Sequence, residues 1–110
     1  MDEELVELIR SVITRIPEGR VATYGDIADI ARAPSPRMVG KVLQEDGHDL
    51  PWQRVLRANG TCAPHIAHEQ LDRLRAEGVL AVDGKVDLRK YRWEEAVTEP
   101  ADEPQLGLFE

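Results

Sequence analysis

A single cysteine, Cys62, occurs among the 110 residues, so no disulfide can close within the chain. Such sparse use of cysteine fits a reducing compartment and gives the expectation of a cytoplasmic protein. No apolar run approaches the roughly 18 residues that a membrane helix needs, so no membrane partner is expected. The acidic start (Asp2, Glu3, Glu4, Glu7) lacks the basic-then-apolar pattern of a secretory signal. No internal repeat is visible. Lys and Arg are absent from residues 94–110, which hold Glu94, Glu95, Glu99, Asp102, Glu103 and Glu110. That acidic, proline-containing stretch lacks a core-forming pattern, and we expect a disordered tail over 94–110 and one folded domain over 1–93.

The formal net charge of -7 argues at first against a nucleic-acid ligand. Its distribution argues otherwise. Residues 11–93 carry 13 basic against 11 acidic side chains, a net of +2. The acidic ends hide a mildly basic middle. That excess is too small for strong non-specific DNA affinity, so binding has to draw on a specific pocket as well as on phosphates.

Hydrophobic spacing supplies the elements. Leu5, Val6, Leu8, Ile9, Val12 and Ile13 fit one face of a helix over about 3–15. Pro17 and Gly19 end it, and Arg20 to Thr23 suits a short strand. Thr23 caps a second helix, with Asp26 completing an imperfect capping box, and Ile27, Ala28, Ile30 and Ala31 give its buried side. After the turn at Ala33-Pro34, Ser35 caps a third helix with Pro36 at its first position. Two short helices joined by a tight turn read as a helix-turn-helix. A loop from Glu45 to Trp52 leads to a strand over Gln53–Arg57 and the turn pair Asn59-Gly60. A fourth helix runs from Ile66 to Glu77 and stops at Gly78. Val79–Val82, Asp83-Gly84 and Lys85–Asp87 form a small hairpin, or wing. The fold class is mainly α with minor β, a winged helix-turn-helix-like DNA-binding domain.

The stretch Leu50-Pro51-Trp52-Gln53-Arg54-Val55 follows that helix-turn-helix. Thr23-Tyr24-Gly25, Arg37-Met38-Val39-Gly40, Gly60 and Glu77-Gly78 surround it in order. Together they resemble the active-site domain of the O6-alkylguanine-DNA alkyltransferases over residues 1 to about 93. In that family the pocket motif reads Pro-Cys-His-Arg, and its cysteine accepts the alkyl group. Trp52 stands here in place of the cysteine, and Gln53 in place of the histidine base. An indole cannot act as a thiolate nucleophile. The chain therefore resembles the alkyltransferase-like branch, which recognises damaged DNA without repairing it.

The resemblance implies a role for each matched residue. Tyr24 lies near the 3′ phosphate of a flipped nucleotide. Arg37, followed by Met38 and Gly40, is the finger that fills the gap left by the extruded base. Pro51, Trp52 and Arg54 belong to the pocket. Glu77 ends a relay that has lost its thiol and its base. The family's Asn-Pro hinge has no clear match in the loop before Pro51. The implied partner is double-stranded DNA containing O6-alkylguanine, bound by a monomer that flags the lesion for nucleotide excision repair proteins.

Plainer readings stand beside these. Trp52 alone fits a core aromatic, Arg37 a solvated helix charge, and Arg54 an ion-pair partner for an acidic side chain. The rivals for function are a helix-turn-helix transcription factor and an alkyltransferase using Cys62, although the sequence places no basic side chain beside that thiol. Cys62, His65 and His68 have metal-ligand spacing but no evident fourth partner, so neither metal nor cofactor is expected. Gln105-Leu106-Gly107-Leu108-Phe109 resembles the bacterial sliding-clamp-binding motif. Gln105, Leu106, Leu108 and Phe109 are its anchors, with glycine where serine or aspartate is usual.

Overall fold

A computed structural model of the chain describes residues 2–96. In order it has α1 (Glu3–Arg15), β1 (Ala22–Thr23), α2 (Tyr24–Ala31), α3 (Pro36–Asp46), a 3₁₀ turn (Trp52–Arg54) and β2 (Val55–Leu56). A second 3₁₀ turn (Pro64–Ile66), α4 (Ala67–Ala76), the hairpin β3 (Ala81–Val82) and β4 (Lys85–Val86), and α5 (Leu88–Tyr91) follow.

Local chemistry sets most of these ends. The Asp2 carboxylate accepts from the Glu4 amide and starts α1. At α2 the capping box is complete: Thr23 Oγ1 accepts from the Asp26 amide at 3.0 Å, and Asp26 Oδ2 accepts from the Thr23 amide at 2.9 Å. Ser35 occupies the cap position of α3, but its side chain makes no capping bond there; Pro36 alone pre-sets the first turn. The wing turns on Asp83 (φ 54) and Gly84 (φ 76), the two positive φ values that a tight two-residue hairpin needs. Gly60 is required by a close approach. A Cβ there would lie 2.4 Å from the Val86 carbonyl oxygen, which would keep the wing from closing on the loop after β2.

Two cores meet at one short ladder. β1 pairs with β2 in parallel, Ala22 opposite Val55 and Thr23 opposite Leu56. Ala22 and Val55 join the core of α1, α2 and α3, with Ile9, Ile13, Ile27, Val39 and Trp93. Val21 and Leu56 join the second core, with Cys62, Leu74, Val79 and Val86. The alternation of side chains along a strand thus sends neighbours into different cores and locks them together. The same ladder sets Tyr24, just after β1, near Trp52, just before β2.

The expected strand over Gln53–Arg57 is shortened to Val55–Leu56. Its first two residues, Gln53 and Arg54, wind with Trp52 into a 3₁₀ turn, in which both reach Glu77. In a strand, adjacent side chains would point to opposite faces. The folded part also ends later than expected. Residues 94–96 form a further helical turn, Ala96 is buried, and Arg15 bonds Glu95 at 2.5 Å. The rest of the expected tail, including Gln105, Leu106, Leu108 and Phe109, lies outside the described residues.

Asp26 ties α2 to the end of the domain. It is buried, and Arg92 donates to it from Nε at 3.0 Å and from Nη2 more closely still. Asp26→Ala removes a cap and a charge-assisted pair together. We predict a loss of about 2–4 kcal/mol in urea unfolding. Asp29→Ala, on the exposed side of the same helix, should cost less than about 0.5 kcal/mol. Equal effects from the two would remove Asp26 from this role.

Candidate nucleic-acid interface

Pro51 begins the 3₁₀ turn that carries Trp52. The Trp52 amide donates to the Leu50 carbonyl at 2.7 Å, and the Arg54 amide to the Pro51 carbonyl at 3.1 Å. The half-buried indole forms part of the wall of a cavity of about 440 Å³. Tyr24, Gly40, Leu43, Ala63 and Ile66 line its apolar side, and Gln44, His48, His65, Glu69 and Gln70 its polar side. That size falls within the range of small-ligand pockets. Gln70 is itself buried and donates to the Gln53 carbonyl at 3.1 Å and the Val55 carbonyl at 2.9 Å, fixing α4 against the Trp52 turn.

A groove of about 860 Å³ adjoins the cavity, lined by Tyr24, Gly25, Pro36, Arg37, Gly40, Lys41, Gln44, Glu45, Arg57 and Ala58. Tyr24, Gly40 and Gln44 line both hollows and form their common border. A Cβ at residue 40 would lie 3.9 Å from Tyr24 Cε1, an ordinary contact, which sets α3 directly beside the ring. Arg37 and Lys41 are exposed on α3, and Arg57 follows β2. The groove is a cationic strip, the charge that a phosphate backbone meets. Burial pushes the Tyr24 phenol upward, helped by Cys62 and opposed by Arg57. The hydroxyl therefore stays protonated at neutral pH and can donate.

Behind the cavity, Glu77 collects four groups. Arg54 Nε donates to it at 3.0 Å, Arg54 Nη2 at 3.0 Å, Gln53 Nε2 at 2.8 Å and the Gly19 amide at 3.1 Å. Arg54 Nη1 continues to the Ile16 carbonyl at 2.9 Å. Burial pushes the Glu77 carboxyl up. The bonds from Arg54, Gly19 and Gln53, with the charge of Arg54, outweigh it and hold the group below its ordinary value.

Of the residues expected at the site, the structure brings Tyr24, Arg37, Gly40 and Trp52 to the two hollows. Met38 packs against the α1–α3 core instead, since its place on α3 points inward. Pro51 lines neither hollow and acts as the turn-former. Arg54 takes the ion-pair arrangement, its guanidinium engaged by Glu77 and Ile16. Lys41, Gln44 and Arg57, and the α4 side of the cavity, were not singled out from the sequence. The helical spacing 37, 40, 41, 44 was the signal for the α3 members.

Cys62 is buried in the second core. The fold brings a basic side chain near it that the sequence does not announce: Arg57 Nη1 donates to the Cys62 carbonyl at 3.4 Å. Burial nevertheless wins over the field of Arg57 and raises the thiol pKa, the wrong direction for a nucleophile. His65 and His68 are exposed while Cys62 is buried, and among the described residues no three such side chains gather to hold a metal.

Residues 4–79 match the family described as "6-O-methylguanine DNA methyltransferase, DNA binding domain". The chain belongs to this family. It is similar to the "DNA base-flipping protein" of Vibrio parahaemolyticus, 42% identical over 102 residues, covering 86% of this chain and 99% of that protein. The Escherichia coli K12 protein of the same name is 38% identical over 99 residues, covering 84% and 76% of the two chains. The crystal structure of S. pombe Atl1 in complex with damaged DNA containing O6-carboxymethylguanine superposes with a TM-score of 0.76 at 28% identity, covering 84% of this chain and 97% of that one. The matched segment of the methyltransferase DNA-binding family includes the groove, Trp52 and Glu77.

Glu77→Gln leaves Arg54 half-buried without its counter-charge. We predict a loss of about 2–3 kcal/mol at neutral pH. A carboxyl held low in the folded state stabilises fully above its unfolded value of about 4.3 and loses that contribution as pH falls through the lower folded value. The gap between wild type and Glu77→Gln in urea unfolding should therefore close on acidification below about pH 4. A gap of constant size down to about pH 2 would rule out the charge as its source.

Proposed function

We propose that this chain recognises O6-alkylguanine in duplex DNA by turning the altered nucleotide into the Trp52 cavity, without transferring the alkyl group. The observation that carries the reading is the indole of Trp52 on the cavity wall, next to Gln53, whose amide is bonded to Glu77. An indole offers flat apolar surface to an alkylated base and no reactive atom. A glutamine amide cannot take up a proton at neutral pH. The base-flipping relatives and the S. pombe structure bound to damaged DNA support this reading.

The geometry suits the steps that flipping requires. Extruding a base costs a few kcal/mol, less for a poorly paired damaged base. Arg37 projects from the first turn of α3 and is exposed in the groove, where its planar guanidinium can fill the vacated stack. Tyr24 stands at the passage through which the nucleotide turns and donates its hydroxyl to the flanking backbone. Arg54 serves this site through Glu77. The monomer then holds the lesion for nucleotide excision repair proteins.

Arg37→Ala should weaken binding to an O6-methylguanine duplex by about 1–3 kcal/mol, and Tyr24→Ala by less. Mass spectrometry after incubation with the same duplex should find no alkyl adduct on the protein. Unchanged affinity of Arg37→Ala would exclude the finger, and a stoichiometric adduct on Cys62 would make the protein a transferase. Affinity that follows base sequence instead of lesion status would mark a transcription factor.

The C-terminal Gln105, Leu106, Leu108 and Phe109 are proposed to bind the bacterial sliding clamp. Their acidic neighbours keep such a peptide from DNA. Short peptides of this kind bind on the order of micromolar and gain by tethering to a DNA-bound domain. Full-length protein should bind purified clamp, and a truncation after Ala96 should not, while both bind lesion DNA equally. Clamp binding by both or by neither would remove the motif assignment.

A further inference from the structure

We propose that Arg73 is a positioning residue for lesion recognition: anchored by Glu69, its guanidinium clamps the outer face of Trp52 and fixes the indole as a rigid wall. The inference rests on the base-flipping reading of the cavity, which needs such a wall and does not say what holds it.

Trp52 is poorly supported by its own element. It belongs to a three-residue 3₁₀ turn and is only half-buried. The missing support comes from α4. Arg73 Cζ lies 5.3 Å from the centroid of the Trp52 ring, within cation–π range. Arg73 is not part of the cavity wall, whereas Trp52 and Glu69 are, so the guanidinium covers the ring from outside. Nε and Nη2 of Arg73 both donate to Glu69 Oε2, at 3.1 and 2.9 Å. Glu69 and Arg73 are one helical turn apart, and Gln70 between them bonds the backbone at Gln53 and Val55. One helix thus holds both the backbone of the Trp52 turn and its ring.

The pair has two consequences. A stacked guanidinium limits rotation of the indole and keeps its inner face toward the cavity, which lowers the ordering cost when a base arrives. It also neutralises a carboxylate that would otherwise face a polyanion from the cavity rim. Lysine at this position could supply the charge but not the planar stack. The clamp is therefore separable from simple neutralisation.

The experiment uses the full chain with Trp93→Phe, so that Trp52 is the sole tryptophan, and compares Arg73, Arg73→Lys, Arg73→Ala and Arg73→Ala/Glu69→Gln. Affinities for an O6-methylguanine duplex and the identical undamaged duplex are measured at one salt concentration. Acrylamide quenching of Trp52 is read in the free proteins, and thermal melts check folding. We expect the lesion-to-undamaged affinity ratio to fall about two- to five-fold in all three variants. Trp52 should become more accessible to acrylamide in each, with melting temperatures little changed, because Arg73 and Glu69 are solvent-facing. If Arg73→Ala fails to fold, the Arg73→Lys arm decides.

A discriminating parent protein with an unchanged ratio in Arg73→Ala would overturn this inference alone. Recovery of the ratio in Arg73→Lys or in the double variant would do the same, assigning the effect to the charge of Glu69. A parent protein that shows no lesion preference would overturn the base-flipping reading and the clamp together.

Discussion

The carboxylate of Glu77 is the constraint on which the site depends. It sits at the C-terminal end of α4, where the chain turns through Gly78, and is nearly enclosed, with 10% of its side chain exposed. Arg54, Gln53 and the Gly19 amide all converge on it. Arg54 extends the network to the Ile16 carbonyl at the end of α1. One acidic group thereby joins the first helix, the loop before β1, the Trp52 turn and α4. A buried carboxylate is unfavourable unless its lone pairs are filled, and here four donors fill them. The demand that Gln53 and Arg54 reach the same partner bends the chain into a 3₁₀ turn, and that turn aims Trp52 at the cavity.

The same arrangement separates recognition from chemistry. A relay from thiol through imidazole to carboxylate needs each neighbour to pass a proton. In this chain the partners of the Glu77 carboxylate are a guanidinium, an amide side chain and a backbone amide. None of them delivers a base to position 52. On the proposed reading the rest is a binding apparatus: the Trp52 wall, its border at Tyr24 and Gly40, and the groove that holds Arg37, Lys41 and Arg57. Cys62 offers no alternative, since its thiol is buried behind β2 in the second core.

The features legible in the sequence were those whose cause is local. Thr23 and Asp26 announce a helix start because their bonds close within three residues. Asp83-Gly84 announces a turn because only certain residues accept both positive φ values. Trp52, Arg37 and Tyr24 stood out through motifs. The parts that were not legible depend on distant partners. Nothing near Asp26 points to Arg92, 66 positions away, nor does Arg15 point to Glu95. Glu95 read as part of the tail because its charge was visible and its partner Arg15 was not. Met38 was carried by its motif, while the helical period that turns it inward also brings Lys41 and Gln44 outward. The α4 wall has no motif, because lining a cavity constrains shape more than residue type.

Charge pairing explains how an acidic chain can present a DNA face at all. Many of its cations are already used internally. Arg10 bonds Asp46 and Asp49, Arg15 bonds Glu95, Arg54 bonds Glu77, Arg73 bonds Glu69 and Arg92 bonds Asp26. Arg37 has no ion pair among the described residues, Lys41 has only a loose exposed contact to Glu45 at 3.9 Å, and Arg57 bonds a carbonyl. Those three side chains line one groove. Three cations in this groove can neutralise only a few phosphates, and the electrostatic free energy grows with that number. A strongly basic surface would hold undamaged DNA nearly as well as damaged DNA. On the proposed reading, the discrimination then falls to the cavity, where an extruded base would meet Trp52.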